Sequence, residues 1–307
     1  MRVHGRGQVT LLQVAADDCE EVLVTMEDGA QQDLVTWQRA AIQREGGLWP
    51  RPVMPAPIVE GGTLVIVGGG RLPAAIVDRF VTLAGGQEGK IVLVPGASPR
   101  PRAGRRDRRL RLQSVFEARG ADVAVLDCVH ADEVTEAALR VLDDATGIWF
   151  GGGRQWRLCD AFDGTGAVAR MRAVLQRGGV IGGSSAGATI QGEFLVRGNP
   201  LGNRDMWCQG YDRGFAFLPG CAIDQHFIAR NRVDDLATLI GRVPMVIGLG
   251  VDEATAAVVH KGELEVVGDS RVAVFDVRKR DAGNTDPVVP VWLAPGERWD
   301  LPTGSRK

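Results

Sequence analysis

The sequence predicts an α/β protein with a three-layer, doubly wound, mostly parallel sheet and a β-rich C-terminal extension. From Gly61 onward, short apolar runs rich in β-branched residues alternate with helix-length segments, and this alternation is typical of a parallel sheet that is buried on both faces. Most of the runs end in glycine or another small residue, at the edge where ligands approach an open α/β sheet. From Val246 onward the runs follow one another too closely for helices to intervene, which favours antiparallel or mixed pairing.

The apolar runs and the turn residues that bound them set the individual elements. Strands of the parallel sheet are expected at Thr63–Val67, Ile91–Val94, Val123–Leu126, Gly147–Phe150 and Gly179–Gly183. Helices are expected at Pro73–Leu83, Leu110–Arg119, Asp132–Asp143, Val168–Arg177, Ala186–Leu195 and Asn231–Ile240. Strands of the extension are expected at Val246–Val251, Thr255–Val259, Glu263–Val267 and Val272–Phe275.

Residues 1–60 differ from the rest and are interpreted as an N-terminal extension to a domain that covers residues 61–307. Weak alternation over Val9–Thr25 predicts strands, and Val35–Arg44 is expected to form one helix. Four prolines between positions 50 and 57 then break regular structure, so we predict a linker or arm there. This extension carries no functional signal.

Composition excludes several classes of protein. The chain has 307 residues and a net charge of −2, so it lacks the basic excess of a general nucleic-acid binder. No apolar run approaches the roughly 18 residues of a membrane span, and the N-terminus shows no signal-peptide pattern. The five cysteines and four histidines form no C-x-x-C or H-E-x-x-H, which argues against a metal site built by the protein. We therefore expect a cytoplasmic protein that needs no cofactor or metal and binds neither nucleic acid nor membrane.

The sharpest motif is Gly183-Ser184-Ser185-Ala186-Gly187, which reads G-x-S-x-G. It follows a predicted strand and begins a predicted helix, and a sharp turn in that context exposes the serine hydroxyl at the edge of the sheet. The N–H after the serine and the helix N-terminus both favour the negative charge that develops in acyl transfer. We predict that Ser185 is a nucleophile; the alternative is a glycine-rich turn that only caps a helix.

A serine nucleophile needs a base, and histidine is the usual one. His226 is the best of the four histidines because it has polar neighbours at the end of a predicted strand. It follows Ser185 by 41 residues, and an α/β-hydrolase usually has more chain between the two, so that fold is disfavoured. We expect the two side chains to meet at the rim of one central sheet; the alternative is a hydrogen-bonded structural histidine.

The two motifs together resemble a known family. G-x-S-A-G-A is followed by D-Q-H-F-x-x-R-x-R over Asp224–Arg232, a combination similar to cyanophycinases and their relatives in the dipeptidase E group of serine peptidases. Gly248–Ala256 resembles the later G-I-G-I-D-E-x-T-A stretch of that family. The resemblance covers about Gly61 to Leu301 and implies a fold like that of a class I glutamine amidotransferase domain, with serine in place of cysteine. It also implies hydrolysis of small acidic dipeptides or of the β-aspartyl-arginine backbone of cyanophycin.

The resemblance assigns roles to individual residues. It makes Ser185 the nucleophile and His226 its general base. The oxyanion donors would be the backbone N–H groups of Gly152, Gly153 and Ala186. The substrate site would be lined by Gln155, Asp224, Gln225, Arg230 and Arg232. Arginines suit a substrate carboxylate because they offer paired N–H donors; for the two arginines, a solvated helix face is the alternative.

The chain departs from the family pattern in two places. The resemblance implies a triad acid in the loop between the serine and the histidine, and the single acid between positions 194 and 211 is Asp205, which we predict to be that acid. Where cyanophycinases tend to carry another arginine, this chain has Asp235, which argues against cyanophycin itself as the substrate. Asp252 and Glu253 admit a metal pair, but we favour support of the site from a strand end.

Other interpretations stay open or are set aside. One alternative is a catalytically silent binding or sensor domain that kept the pocket after losing the triad acid. A second alternative, a glutamine amidotransferase, would need a cysteine in place of Ser185. Gly68-Gly69-Gly70 lacks the G-x-G-x-x-G spacing of a dinucleotide site. The arginines between Arg100 and Arg111 indicate an exposed loop and helix start more than a polyanion site. A homodimer is implied by the resemblance alone.

Overall fold

The computed structural model of the chain describes residues 9–14, 22–26, 31–33, 49–100, 108–281, 284 and 286–307. Near the N-terminus, β1 (Val9–Val14), β2 (Val22–Met26) and β3 (Gln31–Asp33) form an antiparallel sheet, so strands are present where the alternation over Val9–Thr25 predicts them. The helix predicted over Val35–Arg44 lies outside the described residues. No helix that the structure describes has the length and apolar character to cross a membrane.

The elements after residue 60 alternate between strand and helix at first and are mostly strands towards the C-terminus. In chain order the strands are β4 (Thr63–Val67), β5 (Lys90–Val94), β6 (Asp122–Val125), β7 (Gly147–Phe150), β8 (Val180–Ser184), β9 (Gly192–Phe194), β10 (Leu218–Gln225), β11 (Ile247–Val251), β12 (Thr255–His260), β13 (Glu263–Gly268), β14 (Val272–Phe275), β15 (Val291–Leu293), β16 (Arg298–Asp300) and β17 (Ser305–Arg306). The α-helices are α1 (Ala74–Leu83), α2 (Arg108–Glu117), α3 (Glu136–Leu139), α4 (Gln155–Phe162), α5 (Ala167–Gln176), α6 (Ala186–Thr189) and α7 (Val233–Arg242).

Nine of these strands form one large sheet in the order β17-β16-β13-β12-β4-β8-β7-β5-β6. The strands from β4 to β6 in that order are parallel, and β12 joins β4 in antiparallel register. Helices α1 and α2 pack on one face through Phe80 and Phe116, which both contact Trp149, while α4 and α5 pack on the other through Leu158 and Met171. The predicted three-layer α/β class with added antiparallel C-terminal strands is confirmed.

A second sheet has the order β15-β14-β11-β10-β9. Ile223 and Leu249 of this sheet join the core that it shares with the large sheet, whereas Ala222 packs with Leu236 of α7 on the opposite face. The chain changes sheet after β8 because only the four residues of α6 follow that strand, and a crossover to another parallel strand needs a dozen residues or more. The expectation of one central sheet is therefore wrong.

Two predicted helices are wrong in extent. The helix expected over Asp132–Asp143 is broken into 3-10 turns around the four-residue α3. The helix expected over Ala186–Leu195 ends at Thr189, where the side-chain amide of Gln191 donates to the Gly187 carbonyl at 2.9 Å and the following residues pair with β10 as β9. Pairing with a buried strand here overrides local helix propensity.

The Pro-rich segment behaves as a packed arm. The ring of Trp49 stacks on Phe194 of β9 at 6.3 Å between centroids, and the guanidinium of Arg213 lies 4.7 Å over the same ring. Arg51 forms an ion pair with the buried carboxylate of Glu193. These contacts fix residues 49–51 against the edge of the five-stranded sheet.

Candidate active site

Ser185 lies in a strained turn between β8 and α6. Its backbone has φ 60° and ψ −114°, a region that is costly for a residue with a side chain. The flanking glycines permit this turn: a Cβ at Gly183 would lie 2.3 Å from the Gly187 carbonyl oxygen, and a Cβ at Gly187 would lie 2.3 Å from the Phe150 carbonyl oxygen. The G-x-S-x-G pattern is therefore a packing requirement that holds the serine at the carboxyl end of β8.

His226 directly follows β10, and its Nε2 lies 3.0 Å from the Ser185 Oγ. Its φ is 50°, so two residues with positive φ face each other. The structure brings the two side chains together as the sequence predicts, but they come from different sheets, Ser185 from the large sheet and His226 from the five-stranded one. The site is thus built where the carboxyl ends of β8 and β10 meet.

Glu253, two residues after β11, accepts a hydrogen bond from the other side of the imidazole. Its Oε1 lies 2.5 Å from His226 Nδ1. A carboxylate at this distance fixes the tautomer of the ring so that Nε2 faces Ser185 as an acceptor. Ser185, His226 and Glu253 therefore form a continuous hydrogen-bonded chain with the geometry of a catalytic triad.

Asp205 does not take part in this chain, so its prediction as the acid is wrong. Its Oδ2 accepts a hydrogen bond from Asn199 Nδ2 at 2.7 Å in an exposed loop. The sequence did contain a signal for Glu253, because acids that directly follow a strand of an α/β sheet lie at the edge where ligands bind. The same signal applies to the neighbouring Asp252, so by itself it does not identify Glu253 as the partner of the histidine.

Asp252 supports the site in a different way. Its Oδ1 accepts from the backbone N–H groups of Ile228 and Ala229, each at 3.0 Å, and its Oδ2 accepts from Ser270 Oγ at 2.7 Å. Asp252 thus fixes the turn that follows His226 while Glu253 orients the ring. The two acids have separate hydrogen-bond partners, and among the residues that the structure describes no group of three or more His, Cys, Asp or Glu side chains is arranged to hold a metal ion.

Three consecutive backbone carbonyl groups at the end of β4 accept hydrogen bonds from the three segments that carry Ser185, His226 and Glu253. Val67 O accepts from the Ser185 N–H at 3.0 Å, Gly68 O accepts from the His226 N–H at 2.7 Å, and Gly69 O accepts from the Ala254 N–H at 3.0 Å. The backbone of residues 67–69 therefore sets the relative positions of segments that are far apart along the chain.

The glycines of this loop are required because its backbone runs directly beneath the side chains of His226 and Glu253. A Cβ at Gly69, whose φ is 116°, would lie 2.3 Å from Cε1 and 2.6 Å from Nε2 of His226. A Cβ at Gly70 would lie 2.9 Å from the Cβ of Glu253. Gly68-Gly69-Gly70 is thus more than a simple turn, because it lies directly beneath His226 and Glu253, and no local sequence signal predicts this position.

The electrostatics keep the imidazole neutral near pH 7. Burial lowers the pKa of His226 below its ordinary value of 6.5, the hydrogen bond to Glu253 opposes this shift, and the positive charge of Arg230 adds to it. A histidine that is unprotonated at neutral pH can accept a proton from a serine hydroxyl.

Backbone donors for an oxyanion lie next to Ser185. An ideal Cβ at Gly152 would lie 3.5 Å from the Cβ of Ser185, and Ala186 is the first residue of α6, where an N–H has no acceptor within its helix. Ser98 Oγ donates to Gly152 O at 2.8 Å, which fixes that peptide group. Gly153 instead packs against Ala97, whose carbonyl oxygen would lie 2.1 Å from an added Cβ. Oxyanion binding by Gly152, Gly153 and Ala186 stays a prediction.

Two of the residues expected to line the substrate site are buried in an ion cluster. Asp224 is fully buried and accepts hydrogen bonds from Arg232 Nη1 at 2.9 Å and from Arg197 Nε at 3.0 Å and Nη2 at 3.0 Å. Arg197, which the sequence analysis missed, also binds Asp235 at 2.7 Å. The cluster fixes the end of β10, whereas the Arg230 side chain is exposed.

The two glutamines differ in their surroundings. Gln155 Nε2 donates to the carbonyl groups of Val196 and Arg197 at 2.8 and 2.7 Å, so it ties the glycine turn after β7 to the loop that carries Arg197. Gln225 is buried next to His226, and within the described part of the chain its Oε1 has no hydrogen-bond partner. Gln225 therefore retains an unsatisfied acceptor beside the site.

Comparison with known proteins gives consistent matches. The model of peptidase family S51 matches residues 64–267. A cyanophycinase from Geminocystis herdmanii is 33% identical over 208 residues, which covers 66% of this chain and 74% of that protein. A cyanophycinase from Trichormus variabilis is 30% identical over 236 residues, which covers 74% of this chain and 75% of that protein.

Solved structures show the same fold at lower sequence identity. The crystal structure of a peptidase from an acI-B1 Actinobacterium superposes with a TM-score of 0.58 at 20% identity and covers 82% of this chain and 100% of that chain. The structure of a putative peptidase E protein from Listeria monocytogenes superposes with a TM-score of 0.50 at 17% identity and covers 68% and 99%.

Proposed function

The chain belongs to peptidase family S51, and from this premise we propose that Ser185 is its nucleophile and that it hydrolyses small aspartyl or β-aspartyl peptides. The membership confirms the resemblance drawn from the two sequence motifs and makes the protein a peptidase. The observation that carries the nucleophile assignment is the 3.0 Å contact between Ser185 Oγ and His226 Nε2, with Glu253 on the far side of the ring at 2.5 Å.

In the proposed reaction, Ser185 Oγ attacks the scissile carbonyl carbon while His226 Nε2 takes the hydroxyl proton. Glu253 accepts the Nδ1–H bond throughout and stabilises the imidazolium. The oxyanion lies against the N–H groups beside the serine, those of Gly152 and Ala186. His226 then returns its proton to the leaving amine, the C–N bond breaks, and an ester to Ser185 remains. A water molecule, deprotonated by His226, hydrolyses that ester and restores the serine.

The acidic part of the substrate is assigned to Arg230. This side chain is exposed, its backbone N–H donates to His226 O at 2.9 Å, and a guanidinium binds a carboxylate through paired N–H donors. The relatives described above are cyanophycinases, which supports an aspartyl or β-aspartyl substrate. At the position where cyanophycinases tend to carry an arginine, this chain has Asp235, which pairs with Arg197. For this reason we favour small peptides over the cyanophycin polymer as substrates.

The alternative of a catalytically silent binding domain loses its premise. It was based on a missing triad acid, and the Glu253 carboxylate, 2.5 Å from His226 Nδ1, supports the enzyme because an acid at this place can act in the triad. A glutamine amidotransferase would need a cysteine nucleophile, and the residue at the strained turn is Ser185.

The test compares two neighbouring serines. Ser185→Ala is expected to abolish hydrolysis of aspartyl peptides and labelling by a fluorophosphonate, whereas Ser184→Ala removes a hydroxyl from the adjacent residue and should keep both. Intact-protein mass spectrometry measures the adduct, and circular dichroism verifies the fold of each variant. Turnover that survives in Ser185→Ala, or an adduct on Ser184, would refute the assignment.

A further inference from the structure

A pocket of about 130 Å³ lies at the carboxyl ends of β5 and β7. These two strands are neighbours in the large sheet, yet the chain leaves them in opposite directions. After β5 it continues to β6 at the sheet edge, and after β7 it continues to β8 nearer the centre. Such a point, where the strand order reverses, opens a crevice in an α/β sheet and is where ligands bind. We call this cavity the switch-point pocket.

Among the residues that the structure describes, the lining of the switch-point pocket is almost entirely apolar. It consists of Leu93, Val94, Pro95, Ser98, Leu112, Trp149, Gly151 and Gly152. None of these residues is charged, and the hydroxyl of Ser98 already donates to Gly152 O at 2.8 Å. A carboxylate or guanidinium placed here would lose its water without gaining a partner, which is costly. The pocket therefore selects for an uncharged, apolar group.

Gly152 lies both at the switch-point pocket and next to Ser185. It forms part of the pocket wall, and an ideal Cβ on it would lie 3.5 Å from the Cβ of Ser185. A peptide with its scissile carbonyl at Ser185 therefore has the pocket mouth within reach of an adjacent side chain. Arg230 lies in the turn that follows β10 of the other sheet, so the pocket and the exposed arginine can hold two different groups of one substrate.

The volume limits the size of the occupant. An engineered protein cavity of about 150 Å³ lined by apolar side chains holds one benzene molecule, so 130 Å³ suits a side chain between leucine and phenylalanine in size. Building on the proposed function, we propose that the switch-point pocket is a specificity subsite for such a side chain. The preferred substrates are then short peptides that combine one acidic residue with one apolar residue.

The test uses matched dipeptides in both orders, with aspartate joined to alanine, leucine, phenylalanine or arginine. In one of the two orders, kcat/KM is expected to be at least about tenfold higher for leucine than for alanine, and lowest for arginine. Equal kcat/KM for alanine, leucine and arginine in both orders would overturn the subsite while leaving the proposed function intact. Failure to hydrolyse any of the peptides, together with no fluorophosphonate adduct, would instead refute the proposed function and the subsite with it.

Variants of Leu112 test whether the substrate side-chain preference depends on the switch-point pocket. Leu112→Phe narrows the cavity and should lower the leucine-to-alanine ratio at least about fivefold, whereas Leu112→Ala widens it and should move the preference towards phenylalanine. Leu83→Phe is the matched control, because Leu83 packs on the same core from α1 but is not among the pocket residues. An unchanged ratio in both Leu112 variants, or the same change in the control, would overturn the proposal.

Discussion

Replacing Gly69 by alanine should displace the His226 imidazole from Ser185 while leaving the fold in place. The added Cβ would lie 2.3 Å from Cε1 and 2.6 Å from Nε2 of His226. Carbon atoms pack at about 3.5 to 4.0 Å, so the ring has to retreat by roughly 1 Å. A displacement of that size should break the alignment of Nε2 with the Ser185 Oγ, which lies 3.0 Å away, because hydrogen bonds weaken steeply with changes in distance and angle.

The expected magnitude separates a stability effect from a catalytic one. Alanine at a positive φ costs about 1 to 3 kcal/mol wherever it occurs, and Gly85 offers the control because its φ is 105° and its nearest neighbour atom would lie at 3.5 Å from a Cβ. Both variants should lose a similar amount of unfolding free energy. Only Gly69→Ala should lose kcat, by about 10²-fold or more, since a displacement of about 1 Å in a catalytic group costs that much.

Urea unfolding and steady-state kinetics on an aspartyl peptide measure the two effects. KM should change little for Gly69→Ala because the exposed Arg230 is untouched. Equal losses of kcat in Gly69→Ala and Gly85→Ala, or full activity in Gly69→Ala at a normal stability cost, would show that the backbone at this position does not set the histidine geometry.

Three further outcomes are expected. Glu253→Gln should lower kcat by about 10²- to 10⁴-fold because the ring loses its orienting acid, while Asp205→Asn should leave kcat within about twofold; comparable kinetics for the two variants would contradict the assignment. Since burial lowers the pKa of His226 and the base must be neutral, kcat/KM should remain more than half-maximal at pH 6.5 and fall at lower pH, and a rate profile with its acidic midpoint above 6.5 would oppose this. Arg197→Met should reduce the free energy of unfolding by about 3 kcal/mol, because the buried Asp224 loses one of its two arginine partners, and a change below about 1 kcal/mol in urea titration would show that the ion cluster is not structural.

The local sequence was sufficient to predict a strand or a site residue when one short segment contains all the residues that determine it. The parallel strands were predicted because buried apolar runs are bounded by turn residues, and Ser185 and His226 were predicted because each stands in a compact motif at a strand end. In both cases the physical cause lies within a few residues of the observation. The helix expected after Ser185 was wrong for the opposite reason, since β9 forms through pairing with β10, some 25 residues further along the chain.

The partner of the histidine and the floor beneath it depended on the tertiary structure. Glu253 reaches His226 from a strand end 27 residues away, and nothing in its local sequence distinguishes it from Asp252, which binds backbone groups instead. In the sequence, Gly69 and Gly70 look like part of an ordinary glycine turn. Only the tertiary structure shows that His226 and Glu253 lie directly over them.

The sequence by itself therefore determined the α/β class, the peptidase family and the two residues that meet at 3.0 Å. The tertiary structure decided that they meet across two sheets, that the acid hydrogen-bonded to the histidine is Glu253, and that three consecutive carbonyl groups of the β4 loop bind the segments of the site. The physical reason is that a motif records the conformation of its own segment, whereas hydrogen bonds between segments distant in sequence form only when packing has brought them within about 3 Å of one another.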